Sequence, residues 1–302
     1  MSPTRSAEVF APALTPFHAD LSVNRPAFIG FCRWLVSQRV GLAVFGTNSE
    51  ANSLSVSEKI DLLDALIEAG IPPARLLPGV GLCALPDAIA LTKKAVDLEC
   101  AGALALPPFY FKPAHDDGLF AYYSQIIQAV GSDRLKIYLY HIPQFTGVGI
   151  THALIERLIK EYPRTVVGIK DSSGDWANTE SMLRSFPGFR IFPASESLLE
   201  KALPLGAAGC ISATANVQPR TIVDAIERWG SDDFAGLQAR ANAVRSLFQQ
   251  HPMIPALKYV VGEAMEDRTW RNVRPPLRSA TDDWAGTLAR ELSALNFSMA
   301  AA

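Results

Sequence analysis

Lys170 closes the run Val166-Val167-Gly168-Ile169-Lys170, a segment that reads as a buried strand with an amine at its end. A parallel strand covered on both faces is a near-continuous apolar run, and an ammonium at its end sits in a costly environment. Desolvation favours the neutral amine, so such a lysine is a nucleophile near neutral pH whose natural chemistry is a Schiff base with a carbonyl substrate. The competing reading has Lys170 leaving the sheet for solvent or pairing with Asp171, since perturbed lysines mark sites only statistically.

A Schiff-base lyase also needs a proton shuttle, a holder for the substrate carboxylate and an electron sink. The iminium is itself the sink, so the scheme calls for no cofactor. Tyr140 ends another apolar run and carries a phenol able to act as general acid or base. Thr47 can relay a proton to it. Backbone N–H groups of the Gly46–Glu50 loop, with its hydroxyls, can hold a carboxylate as anion nests do. Each residue also has a structural reading: Tyr140 bonded to a loop carbonyl, Thr47 and Asn48 capping the helix that follows, Tyr110 in Pro107-Pro108-Phe109-Tyr110 as rim packing or a subunit contact.

These residues stand at the ends of short β-type runs, each followed by a helical pattern. The runs are 9–14, 42–46, 76–81, 103–107, 136–142, 166–170, 190–194 and 209–213. Helical spacing follows over 57–69, 86–99, 118–130, 153–161, 178–186 and 198–205; in the first, Ile60, Leu63 and Ile67 form the expected inner face and Ser55-x-x-Glu58 resembles a capping box. Strict βα alternation predicts a parallel sheet, and eight units predict its closure into a (β/α)8 TIM barrel. An open doubly wound sheet would carry G-x-G-x-x-G after its first strand, and none is present. Helical patterns at 232–250, 254–263 and 282–295 predict a helical C-terminal extension, giving a barrel over 1–225 and an extension over 226–302 packed on it. In such a barrel Thr15, Thr47-Asn48-Ser49-Glu50, Tyr110, Tyr140, Lys170-Asp171-Ser172-Ser173, Ser195-Glu196 and Ser212-Thr214-Asn216 are all expected to face one pocket.

Composition narrows the function classes. The chain has 302 residues, 49% hydrophobic and 19% charged, enough for a large core, and its net charge of −2 lacks the basic footprint of a nucleic-acid or anionic-membrane binder. Met1–Glu8 holds no apolar leader segment, and no apolar run reaches the ~18 residues of a membrane span. The four cysteines, at 32, 83, 100 and 210, show no metal-ligand or redox spacing. The expectation is a cytoplasmic protein with reduced thiols, no metal, no nucleic-acid or membrane partner, and a small-molecule substrate.

At this point the motifs resemble a known family. Gly46-Thr47-Asn48-Ser49-Glu50 resembles G-[TS]-[TS]-G-E, Tyr140-His141-Ile142-Pro143 with Thr146-Gly147 resembles Y-N-[IV]-P-x-x-[TS]-G, and Gly168-Ile169-Lys170-Asp171 resembles G-[IL]-K-[DE]. Together they resemble the dihydrodipicolinate synthase / N-acetylneuraminate lyase superfamily of pyruvate-dependent class I aldolases, from about Val9 to about Ala280. The resemblance implies a homo-oligomer, usually a tetramer and otherwise a dimer, in which Lys170 forms an imine with pyruvate or a 2-oxo acid and Tyr140 shuttles protons. It also implies that Thr47 links Tyr140 to Tyr110, a position that in many members reaches in from a neighbouring subunit. Thr47 and Asn48 would hold the substrate carboxylate, and the Ile211 carbonyl would line the lysine pocket.

Departures from the pattern bear on the substrate. Asn48 and Ser49 replace a hydroxyl residue and a glycine, and Phe109 replaces the first of two tyrosines. Phe145 stands where the synthases carry an arginine for the aspartate semialdehyde carboxylate, and a phenyl ring cannot replace a bidentate guanidinium. The expected activity is a lyase, aldolase or dehydratase, acting on 4-hydroxy-2-oxo acids or 2-keto-3-deoxy sugar acids, with Phe145, Ser172 and Glu196 contacting the variable part of the substrate. The alternatives are 4-hydroxy-tetrahydrodipicolinate synthase, a metal-dependent aldolase, and a degenerate barrel that binds a keto acid without turning it over.

Overall fold

The computed structural model describes residues 7–299; residues 1–6, on which part of the leader expectation rests, lie outside them. In chain order the elements begin β1 (Glu8–Ala11), α1 (Arg25–Ser37), β2 (Gly41–Leu42), α2 (Val56–Glu68), α3 (Leu85–Asp97), β3 (Ala103–Ala105), α4 (Asp116–Val130) and β4 (Ile137–His141). They continue with α5 (Pro143–Thr146), α6 (His152–Glu161), β5 (Val166–Asp171), α7 (Trp176–Ser185), β6 (Arg190–Pro193), α8 (Leu199–Ala202) and β7 (Gly209–Ile211). Four helices close the chain: α9 (Pro219–Glu227), α10 (Phe234–Phe248), α11 (Met253–Ala264) and α12 (Asp282–Ala294). The chain divides into two compact units, one holding Pro72–Ile211 and the other Glu8–Ile71 with the chain from Ser212 onward.

In the first unit β3, β4, β5 and β6 form a parallel sheet in that order. Its register sets Tyr140 beside Lys170, His141 beside Asp171, and Lys170 beside Phe192. The Gly168 of the lysine motif is required by packing: a Cβ there would lie 2.6 Å from the Tyr138 ring and 2.5 Å from the Arg190 carbonyl oxygen. The run at 76–81 lies along β3, with Leu104 N–H donating to Pro78 O at 2.8 Å and Val80 N–H to Leu104 O at 2.9 Å. It makes only an isolated bridge at Gly79 and no extended strand, because Pro78 has no N–H to extend the ladder.

In the second unit β1 pairs with β2 in parallel, Phe10 beside Gly41 and Ala11 beside Leu42. Both strands are shorter than their apolar runs. Pro12 follows β1 and cannot donate to a ladder, and beyond β2 the chain turns through Phe45 at φ 60. Helix α1, which lies outside the predicted helical segments, begins on a standard signal: the Asn24 side chain accepts from Ala27 N–H at 3.2 Å and Pro26 lies in the first turn. The capping box at Ser55 and Glu58 is present, with both reciprocal bonds formed. The inner face of α2 is corrected: Lys59, Leu62, Leu63 and Leu66 are buried, whereas Ile60 and Ile67 are only partly covered. The three C-terminal helices α10, α11 and α12 fall on the predicted segments.

Candidate active site

Strands β4 and β5 deliver Tyr140 and Lys170 to the same face at paired positions. Both are only 2% exposed. Lys170 Nζ donates to Tyr140 Oη at 3.1 Å and lies 4.2 Å from the centre of the phenol ring. Successive strand residues point to opposite faces, so Asp171 turns the other way. Its carboxylate accepts from Thr179 Oγ1 at 2.6 Å, Asn178 Nδ2 at 3.1 Å and the Ser173 N–H at 2.9 Å. Lys170 therefore neither leaves the sheet for solvent nor takes Asp171 as its partner. A buried amine in hydrogen-bond reach of a buried phenol is an arrangement that can form a carbinolamine and move the proton its collapse requires.

The loop after β4 is pinned to the ends of β4 and β5 by several bonds. His141 Nδ1 accepts the Ile150 N–H at 3.0 Å; burial lowers the imidazole pKa, and the neighbouring Asp171 charge opposes the shift. Gln144 Nε2 donates to Ser172 O at 2.5 Å, and the Ser172 N–H to His141 O at 2.7 Å. The Ser172 hydroxyl is buried with no hydrogen-bond partner. Glu196 is fully buried in a turn whose preceding Ser195 Oγ accepts the Ser197 N–H, and Ile211 ends β7, also buried. Phe145 and Tyr110 are placed differently, at 72% and 76% exposure, and Tyr110 stands edge-on to Phe111, which is also exposed.

Thr47 and Asn48 belong to the other unit. They open a 3-10 turn, Thr47–Ser49, that ends at Glu50 in the left-handed region, φ 57. The next long helix is capped by Ser55, so neither residue serves as its cap. Thr15 and Asn216, also expected to face the pocket, have their side chains engaged with backbone. Thr15 Oγ1 donates to Ser49 O at 2.8 Å. Asn216 donates to Pro12 O and Ala213 O and accepts the Leu14 N–H. One group escaped the sequence reading. Lys258, inside the apolar run of α11, reaches Glu50 at 2.6 Å with both side chains fully buried. The same signal that singles out Lys170, a lysine within an apolar run, was available at Lys258.

Residues 5–295 match the Dihydrodipicolinate synthetase family. An uncharacterized DapA-like lyase of Chloroflexus aurantiacus is 38% identical over 83% of this chain and 84% of its own length. A 4-hydroxy-tetrahydrodipicolinate synthase of Synechococcus is 32% identical over 98% and 97%. The crystal structure of dihydrodipicolinate synthase from Agrobacterium tumefaciens superposes with a TM-score of 0.88 at 31% identity, covering 96% of this chain and 99% of that one. The fold class is thus α/β, the (β/α)8 barrel with a helical C-terminal region. The chain belongs to the dihydrodipicolinate synthetase family, a family of lyases.

Proposed function

We propose that the protein is a Schiff-base lyase that cleaves or dehydrates a 2-oxo acid through an imine on Lys170. Tyr140 carries protons to the carbinolamine and to the departing oxygen, Thr47 relays them, and Thr47 with Asn48 holds the substrate carboxylate. No cofactor takes part, because the protonated imine accepts the electron pair of the breaking bond. The enzyme works in the cytoplasm as a homo-oligomer, with Tyr110 supplied to a neighbouring subunit. The observation that carries this reading is the buried Lys170 Nζ held 3.1 Å from Tyr140 Oη. Borohydride reduction in the presence of pyruvate is expected to leave a stable adduct on the peptide containing Lys170. Adducts only on other lysines, or none with several 2-oxo acids, would overturn it.

The substrate reading within this class favours a hydroxylated partner over aspartate semialdehyde. The Ser172 hydroxyl lacks a partner, a deficit of about 1–3 kcal/mol that a substrate oxygen would remove. Phe145 offers no cation, although its exposure means that a carboxylate beside it would be solvated and left without a bidentate partner, not buried and unpaired. The synthase reading rests on the Synechococcus relative's name. A ratio decides between them: kcat/KM for retro-aldol cleavage of 4-hydroxy-2-oxo acids is expected to exceed that for aspartate semialdehyde condensation by roughly 10²-fold or more, since a site that hydrogen-bonds a substrate hydroxyl discriminates against a partner lacking it by up to about 10⁴–10⁵. Efficient condensation, unimproved by Phe145→Arg, would establish the synthase.

A further inference from the structure

Glu50 ends the Thr47–Ser49 turn and, beside the Thr15 bond to Ser49 O, ties it to distant parts of its unit. One carboxylate oxygen accepts Lys258 Nζ at 2.6 Å and the other accepts the Arg274 N–H at 3.0 Å. The Arg274 guanidinium then fans out to Leu21 O, Ser53 O and both oxygens of Glu58, whose pKa it lowers to about 2. The Phe17 ring lies under both cations, 4.4 Å from Lys258 Nζ and 4.6 Å from Arg274 Cζ. Lys258 and Glu50 side chains are both 0% exposed. Burial draws the Lys258 ammonium down to about 8, against the opposing charge of Glu50.

A buried ion pair is a poor device for stability, since apolar residues of similar volume do as well or better. What the pair supplies is direction. Each oxygen of Glu50 has one donor at a fixed angle, so the left-handed residue ending the turn is held from two sides and its neighbours inherit the constraint. We propose that Glu50 and Lys258 are positioning residues that fix the 47–49 turn in the geometry that binds the substrate carboxylate. The inference rests on the function proposed above and deepens it, adding a determinant of carboxylate affinity from a helix 208 residues away in sequence. Because the turn acts on charge, removing the pair weakens anionic substrates selectively.

The test compares pyruvate with pyruvamide, its neutral analogue, by the concentration of each that gives half-maximal borohydride trapping at Lys170. The double variant Glu50→Gln/Lys258→Met removes both charges at nearly constant volume and leaves no unpaired buried ion. It is expected to raise the half-saturating pyruvate by about 10-fold or more, the equivalent of roughly 1.4 kcal/mol, with pyruvamide little changed. If that variant does not fold, Glu50→Gln alone, in which Lys258 can shed its proton, is expected to show the same selective loss. Equal shifts for both ketones, or no shift, would mean that the pair serves folding only and overturn the inference while leaving the imine intact. Absence of any Lys170 adduct in the unmodified protein would overturn the proposed function and the inference together.

Discussion

Lys170→Arg is expected to abolish turnover and adduct formation, by roughly 10⁴-fold or more, the order seen when a covalent nucleophile is removed. A guanidinium stays protonated at any working pH and cannot attack a carbonyl, while its positive charge is retained. The substitution therefore separates nucleophile from mere cation. Its weakness is steric, because Lys170 is 2% exposed between Tyr140 and Phe192 and a planar fork has little room there. Lys170→Met supplies the control: it keeps length and leaves no amine at the site, so its melting temperature should stay near that of the parent. Loss of activity in both variants with retained folding in Lys170→Met assigns the chemistry to the amine. Residual trapping on another residue in Lys170→Arg would move the nucleophile elsewhere, and Lys258, the other fully buried amine of an apolar run, would be the first to examine.

Why were some of these features legible in the chain and others not? Lys170 and Tyr140 were legible because each closes a strand, and a parallel sheet turns two strand ends into neighbours without further information. The βα succession was equally open to reading, since it depends on local periodicity. Strand lengths were not. The run at 9–14 stops at Ala11 and that at 42–46 at Leu42 because Pro12 and the left-handed Phe45 end the ladder, and apolar character continues past the point where pairing does. The α2 face was misjudged for a related reason: Lys59 counts as polar in any periodicity, yet it is 1% exposed and its stem belongs to the buried face. Pairings such as Lys258 with Glu50, or Asn216 with Pro12 and Leu14, join segments some 200 residues apart and have no local signature.

Tyr140→Phe removes one oxygen and nothing else, and is expected to lower turnover by roughly 10²–10⁴-fold, the range for a lost general acid–base group. The lost hydrogen bond from Lys170 Nζ takes from stability at most about 1–3 kcal/mol. That is too little to unfold a chain with so large a core, so rate and stability should part company in this variant. The nucleophile is untouched, and the adduct with pyruvate should still map to Lys170, though it should form more slowly because the carbinolamine must lose its hydroxyl without a placed proton donor. This combination distinguishes a shuttle from a prop. A phenol that only held Lys170 in place would, on removal, leave the amine misaligned and reduce the adduct yield at saturation along with its rate. Wild-type turnover in Tyr140→Phe would transfer the proton to another group, and His141 is not a candidate, since its Nδ1 is engaged by Ile150 and it alternates to the opposite face of β4.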